Sequence, residues 1–95
     1  MISDEQKKII VETLEPFQPM KIGIFGSTVK GNHDSDSDID ILFEFSIEYN
    51  LLDLGGVYEE LKNKLQKEVD LVDYSSIPKD LEQKILAEQH LIYGN

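Results

Sequence analysis

The chain has 95 residues, enough for one compact domain over residues 1–95, and 40% hydrophobic with 29% charged residues is typical of a globular fold. It contains no cysteine, which excludes disulfides and thiolate zinc sites, and its net charge of -10 argues against a direct nucleic-acid partner, which normally requires a basic stripe. No apolar run approaches the roughly 18 residues of a membrane span, and the N-terminus lacks a signal-peptide pattern. We therefore expect a cytoplasmic protein with no membrane partner.

The first half of the chain predicts a helix followed by two strands. Ser3 and Gln6 form a capping-box pattern, and the apolar residues after them recur at helical spacing, which predicts a helix over 4–14. The segment 21–25 alternates and is β-branched, and 39–45 is rich in strand formers, so we expect both to be strands. A turn or short helix is expected between them.

The second half of the chain predicts a helix, a strand and a last helix. Two consecutive glycines, Gly55 and Gly56, weaken the first turn of the helix that precedes the strand. The apolar stripe on that helix consists of Leu54, Tyr58, Leu61 and Leu65. The predicted bounds are Asn50 or Asp53 to about Gln66 for this helix, 69–74 for the strand, and 77–92, including His90, for the last helix. The element order αβ(α)βαβα predicts an α+β fold with a small mixed sheet of three to four strands packed with helices.

Three aspartates lie within strongly apolar strand sequences. Side chains alternate along a strand, so Asp38 and Asp40 point to one face while Ile39 and Ile41 point to the other. If the third strand pairs beside the second, Asp70 can face the other two aspartates. Like charges about 4 Å apart repel by roughly 4 kcal/mol at an effective dielectric near 20, and divalent cations with oxygen ligands compensate for that repulsion. The sequence therefore predicts a carboxylate metal site.

Two neighbouring motifs allow competing interpretations. The acidic run beginning at Asp34 opens like a calcium-binding EF-hand loop, but Ile39 stands at the sixth position, where glycine is required. Asp34 and Asp36 are therefore expected in a solvated loop. Gly26 and Ser27 follow a strand, where glycine is commonly a simple turn but also lets backbone N–H groups approach phosphate oxygens. The residues after this pair do not match a P-loop, so a different phosphate site is indicated.

Taken together, G-S-T-V-K-G-N-H-D-S-D-S-D-I-D-I at 26–41 and V-D-L-V at 69–72 resemble the DNA polymerase β-type nucleotidyltransferase superfamily. Within it, the length and the single domain are similar to the minimal nucleotidyltransferases, the antitoxin partners of HEPN-domain toxins. The resemblance covers essentially the whole chain. It implies a small nucleotidyltransferase domain.

The resemblance also implies a catalytic site and a reaction. Asp38 and Asp40 would hold two magnesium ions (Mg2+), and Asp70 would complete one metal site and help activate the acceptor hydroxyl. The residues that would bind the triphosphate of the substrate ATP are Gly26, Ser27, Lys30 and Ser37. Lys30 stands where family members often carry arginine, so it is either a less directional triphosphate contact or a solvated turn residue.

Three functions are compatible with these observations. The first is transfer of AMP from ATP to a hydroxyl, by family analogy a tyrosine, of a HEPN ribonuclease toxin, which would make the chain a type VII-like antitoxin in a hetero-oligomer. The second is a non-catalytic antitoxin that neutralises the toxin by contact alone, with its acidic surface covering a basic face. The third is nucleotide transfer to a small molecule such as an aminoglycoside.

Overall fold

The structure, a computed structural model, describes residues 2–25 and 39–94. The helices of these two ranges are α1 (Asp4–Leu14), α2 (Leu51–Leu65) and α3 (Lys79–Glu88), and the strands are β1 (Pro19–Phe25), β2 (Ile39–Phe45), β3 (Val69–Asp73) and β4 (His90–Gly94). This arrangement confirms the predicted α+β class. The predicted turn or short helix after β1 lies outside the described residues. None of the helices in the described ranges is both long and apolar enough to cross a lipid bilayer.

Capping side chains determine where two of the helices begin. The Ser3 hydroxyl accepts a hydrogen bond from the N–H of Gln6 at 3.1 Å, and the Gln6 side chain accepts one from the N–H of Ser3 at 2.9 Å. Asn50 and Asp53 form the same reciprocal pair at 2.8 and 3.1 Å. Asn50 is therefore the N-cap of α2, and Asp53 is its reciprocal partner rather than an alternative cap. The helix ends at Leu65 and is followed by its C-cap Gln66, which has a left-handed φ of 57°.

The four strands form one mixed sheet in the order β3-β2-β1-β4. β1 is antiparallel to β2 and β4, whereas β2 and β3 are parallel and are connected through α2. The third strand therefore lies beside the second, as the carboxylate prediction requires. β1 begins at Pro19, two residues before the predicted strand, and β3 ends at Asp73, one residue before the predicted end.

The hydrophobic core lies between the sheet and helices α1 and α2. Alternation along the strands directs one set of apolar side chains to this side of the sheet, where burial of each stabilises the fold by roughly 1.5 to 3 kcal/mol. The fully buried members are Ile10, Leu14, Ile22, Ile24, Ile39, Ile41, Phe43 and Leu61. The core fixes which face of each strand is left for polar side chains.

The C-terminal segment corrects the sequence prediction. The last helix, expected to reach residue 92, ends at Glu88, and His90–Gly94 forms β4 against β1. His90 therefore begins a strand instead of lying on a helix. Ile92 packs against the core. Pairing with β1 gives the backbone N–H and C=O groups of this segment their hydrogen-bond partners, which apolar spacing alone does not reveal.

Two consecutive glycines lie inside α2. A glycine in a helix interior costs about 1 kcal/mol relative to alanine. A Cβ atom at Gly55 or Gly56 would meet no heavy atom within 4 Å other than those of its own helix. Packing within the described chain therefore does not require glycine at either position. The cap and the buried residues Val57, Leu61 and Leu65 hold the helix in place despite the two glycines.

Polar side chains cover part of the sheet face opposite the core. The Tyr74 hydroxyl donates a hydrogen bond to Gln89 above Gly23, where a Cβ atom would come within 2.6 Å of the tyrosine oxygen. The Lys21 ammonium lies 4.4 Å from the centre of the Tyr74 ring. Burial raises the pKa of Tyr74 to about 12, so its hydroxyl stays protonated at neutral pH. Lys21 and Gly23 lie in the first part of β1, and the strand ends at Phe25.

Candidate functional site

Two aspartates meet on the sheet face opposite the core. Asp40 is the second residue of β2, Asp70 is the second residue of β3, and the two are register partners in the parallel pair. Side chains in register on neighbouring strands point to the same face. Ile39, Ile41 and Val69 point the other way and are buried in the core. The structure therefore brings together two of the three predicted catalytic aspartates.

The two described segments that flank residues 26–38 both have an end next to this pair of aspartates. β1 ends at Phe25, which is the cross-strand partner of Asp40, and β2 begins at Ile39. The other predicted site residues lie outside the described residues, and their roles remain predictions: Gly26, Ser27, Lys30, Ser37 and Asp38. The predicted loop aspartates, Asp34 and Asp36, also lie there.

The two carboxylates differ in exposure. Asp40 is half-buried and Asp70 is exposed on β3, an edge strand of the sheet. Like charges directly opposite each other on neighbouring strands repel and destabilise the pair. A cation shared by the two carboxylates would remove this repulsion. The site is thus open to solvent on one side and suited to a positively charged ligand.

The oxygen donors of this pair suit a hard divalent cation. Mg2+ prefers carboxylate oxygens and usually keeps several waters, so one or two aspartates provide a typical protein share of its ligands. Within residues 2–25 and 39–94, no group of three or more His, Cys, Asp or Glu side chains lies close enough to bind a metal. The pair Asp40 and Asp70 fits the metal in ligand type, and the sequence predicts Asp38 as the third ligand.

A further aspartate of β3 has a structural role. Asp73 accepts hydrogen bonds from the Tyr49 hydroxyl at 2.7 Å, from the Ser75 N–H at 2.9 Å and from the Ser75 hydroxyl at 2.8 Å. Burial acts to raise the pKa of Asp73, but the hydrogen bonds from Tyr49 and Ser75 outweigh it and hold the pKa below its usual range. Burial and the bond to Asp73 raise the pKa of Tyr49 to about 12. Asp73 lies three positions after Asp70 on β3, and side chains alternate along a strand, so Asp73 is not on the same face as Asp70 and is not part of the site.

A groove runs along the outer side of β3 next to Asp70, and sequence analysis did not predict it. Its volume is about 270 Å³, and its lining residues are Leu51, Leu54, Gly55, Tyr58, Val69, Asp70 and Leu71. The stripe expected to be core divides here: Leu61 and Leu65 are buried, whereas Leu54 and Tyr58 are only partly buried and line the groove. The signal in the sequence is the Leu51-Leu52 pair, which is separated from the two glycines by two residues.

The sequence and the fold have known relatives. Residues 7–95 match the domain family described as "Polymerase beta, Nucleotidyltransferase". A Methanocaldococcus jannaschii protein, provisionally named a protein adenylyltransferase, is 40% identical over 85 residues, which cover 90% of this chain and 91% of that protein. The protein adenylyltransferase MntA of Thermococcus cleftensis is 39% identical over 77 residues, covering 81% of this chain and 78% of that protein.

Solved structures share the fold. A chain from a toxin–antitoxin complex crystallised with AMP-PNP superimposes with a TM-score of 0.81 at 25% identity, covering 94% of this chain and 73% of that one. A chain from the complex of a tri-AMPylated Shewanella oneidensis HEPN toxin with its MNT antitoxin has a TM-score of 0.76 at 22% identity, covering 99% and 74%. The matched region includes β2 and β3, which carry the aspartate pair.

Proposed function

The chain belongs to the polymerase beta nucleotidyltransferase family, and from that premise we propose that it transfers AMP from ATP to a hydroxyl group of a HEPN ribonuclease toxin and so acts as an antitoxin. The observation that carries the proposal is the in-register pair of Asp40 and Asp70 on one face of the sheet, next to the end of β1. Relatives named protein adenylyltransferase support AMP transfer. The structural neighbours that contain AMP-PNP or an AMPylated HEPN toxin support the choice of nucleotide and partner.

The chain's own residues divide the proposed reaction between them. Asp38, Asp40 and Asp70 would hold Mg2+, which, when bound, neutralises charge on the triphosphate and favours attack at the α-phosphorus. Gly26 and Ser27 would bind the triphosphate through backbone N–H groups and a hydroxyl. Asp70 accepts the proton of the acceptor hydroxyl as its oxygen bonds to the α-phosphorus. The bond from the α-phosphorus to the bridging oxygen breaks, and pyrophosphate leaves.

The exposure of Asp70 favours a protein acceptor. Asp70 is exposed on an edge strand, so the hydroxyl of a large molecule can reach its carboxylate without entering an enclosed cavity. A small acceptor, by contrast, usually requires a pocket that buries most of its surface. The geometry therefore supports transfer to a partner protein over transfer to an aminoglycoside-like compound.

The test is transfer of label from ATP carrying a radioactive α-phosphate. The chain is incubated with this ATP, Mg2+ and a purified HEPN-domain protein as the partner, and the partner is expected to become labelled. Asp70→Asn should slow labelling by about 100-fold or more, because it removes a metal ligand worth several kcal/mol. Glu44→Gln is the matched control, since Glu44 lies on the same strand and face as Asp40 but about 13 Å away. It should label at the wild-type rate.

Three results would contradict the proposal or redirect it. An unlabelled partner with the wild-type chain would contradict AMP transfer, and so would equal labelling by Asp70→Asn. If a variant with both Asp40→Asn and Asp70→Asn still neutralises the ribonuclease completely, the chain acts by contact alone. Rapid labelling of a small hydroxyl compound in place of the protein would favour a small-molecule acceptor.

A further inference from the structure

The first half of α2 presents apolar side chains to solvent. Leu51 and Leu52 are 84% and 87% exposed, more than any other large hydrophobic residue in the part of the chain that the structure describes. Gly55 and Gly56 follow one turn later and are also exposed. In the unbound chain these leucines bury almost nothing, and the glycines are not needed for packing. This face of the helix is therefore not explained by the fold itself.

The exposed leucines are continuous with the groove beside the proposed site. The groove extends along α2 from Leu51 to Tyr58 and includes Asp70 on β3. Leu51 and Tyr58 are seven positions apart on the helix, which corresponds to about 10 Å. We call Leu51, Leu52, Gly55 and the groove the α2–β3 surface. A segment lying on this surface would have one end at Leu51 and would pass Asp70 at the edge of the sheet, where the Asp70 carboxylate points to the face opposite α2.

Most charges around the α2–β3 surface are negative, although the Lys62 ammonium lies 5.7 Å from the centre of the Tyr58 ring. Residues 46–59 and 69–73 contain no lysine, and the chain has no arginine, whereas their carboxylates are Glu48, Asp53, Glu59, Asp70 and Asp73. The nearest lysines of α2 are paired: Lys62 lies 2.8 Å from Glu68, and Lys64 lies 2.6 Å from Glu60. An apolar centre with an acidic rim is complementary to a partner that has an apolar centre and a basic rim. Where no cation is bound, the same rim repels phosphate groups.

We propose that the α2–β3 surface binds the acceptor segment of the partner protein, an apolar stretch with basic flanks whose hydroxyl-bearing end turns round the edge strand β3 to the carboxylate of Asp70. This inference rests on the proposed function and adds the surface that recognises the protein substrate. A polypeptide fits better than the nucleotide base, because the apolar area continues beyond the groove onto Leu52. The Tyr58 hydroxyl donates its one hydrogen to Glu68 at 2.9 Å, so the groove does not offer this donor to a nucleotide base. Glycine at position 55 lets the partner's backbone approach α2 closely.

The test compares two pairs of exposed leucines. In the variant L51S/L52S, the Kd for the purified HEPN-domain partner should rise by about 30-fold or more, because binding no longer buries two leucine side chains. The Kd for a fluorescent ATP analogue should stay within about twofold of wild type. The matched control L81S/L86S changes two leucines on α3 that are 46% and 37% exposed. It should bind the partner as the wild type does.

A second variant distinguishes loss of the surface from loss of the fold. Gly55→Ala should raise the Tm by about 4 °C, because alanine favours the helix and no neighbour obstructs its Cβ. The same variant should weaken partner binding by about fivefold, since the added methyl group separates the two backbones. Destabilisation cannot produce this combination of a higher Tm and a higher Kd.

The outcomes separate this inference from the proposed function. Partner binding is measured without ATP, so its result does not depend on AMP transfer. Wild-type affinity in both L51S/L52S and Gly55→Ala would overturn the inference while leaving AMP transfer intact. Loss of ATP affinity with unchanged partner affinity would assign the groove to the nucleotide and would also overturn it. Failure of the wild-type chain to bind the partner would overturn both.

Discussion

Asp73 and Tyr49 link the end of β3 to the segment that leads into α2. Tyr49→Phe removes the hydroxyl that donates to Asp73 at 2.7 Å, while the ring contact with Phe43 at 5.5 Å can remain. A hydrogen bond to a charged group contributes about 1.5 to 3 kcal/mol, so we expect the free energy of unfolding to fall by about 1 to 2 kcal/mol at pH 7. Urea unfolding of the two proteins at pH 7 measures this difference.

The pH dependence of that loss follows from the lowered pKa of Asp73. A carboxyl whose pKa is lower in the folded state stabilises the fold above its ordinary pKa of 3.8, and this stabilisation is lost as the pH falls through the folded-state pKa. The difference between wild type and Tyr49→Phe should therefore shrink as the pH falls below 3.8. Tyr58→Phe is the control, because its hydroxyl donates to exposed Glu68, where solvent screens the interaction, and its loss should be smaller than that of Tyr49→Phe. Equal losses in the two variants would contradict the assignment.

The sequence predicts the site aspartates better than it predicts the structural one. Alternation along a strand is local, and a parallel crossover is a common connection, so Asp40 and Asp70 could be assigned to one face from the chain alone. The role of Asp73 depends on Tyr49, which lies 24 residues earlier in the sequence. Propensity and spacing contain no information about such a long-range hydrogen bond, so the sequence left Asp73 without a role.

The C-terminal strand is the element for which local pattern and tertiary structure disagree. Apolar residues at helical spacing also satisfy one face of a short strand, and only pairing with β1 decides between the two structures. The bounds of α1 were predicted as observed, and α2 was predicted to within a residue for one of its two candidate caps, Asn50, because side-chain caps at Ser3 and Asn50 mark the helix starts locally. A strand at the edge of a sheet has no comparable local signal.

The same substitution, to lysine, at two neighbouring positions of β4 tests whether this segment is a strand. Ile92 packs against the core, whereas Leu91 is 38% exposed. Ile92→Lys should lower the free energy of unfolding by about 3 kcal/mol or more, because it places a charge against apolar side chains. Leu91→Lys should change it by less than about 0.5 kcal/mol. Denaturant unfolding of both variants gives the comparison, and similar losses at the two positions would contradict alternate strand faces.

The net charge of -10 acts on the whole molecule. The ion pairs in the described ranges include surface contacts such as Lys7 with Asp4 at 3.8 Å, which contribute little each. The excess carboxylates therefore repel one another in the folded chain. Two like charges about 10 Å apart repel by about 0.4 kcal/mol in water at low salt. Composition predicts this repulsion directly, since it depends on the number of charges more than on their partners.

Salt should therefore stabilise the fold, and Mg2+ should do so beyond its ionic strength. Raising NaCl from about 10 to 150 mM shortens the Debye length from about 30 to 8 Å, and a gain of about 1 kcal/mol would raise the Tm by about 4 to 8 °C. At matched ionic strength, Mg2+ at about ten times its Kd should add about 1.4 kcal/mol through binding to the folded chain.

A variant of the aspartate pair distinguishes the stabilisation by NaCl from the additional stabilisation by Mg2+. In a variant with Asp40→Asn and Asp70→Asn, the gain from NaCl should persist, because at least eight excess negative charges remain of the original ten. The additional gain from Mg2+ should disappear, whereas Glu44→Gln should retain it. Thermal unfolding in NaCl and in MgCl2 at equal ionic strength measures both effects for each variant. An equal Mg2+ gain in the double variant and in wild type would place the cation away from β2 and β3, and the proposed metal site would then be wrong.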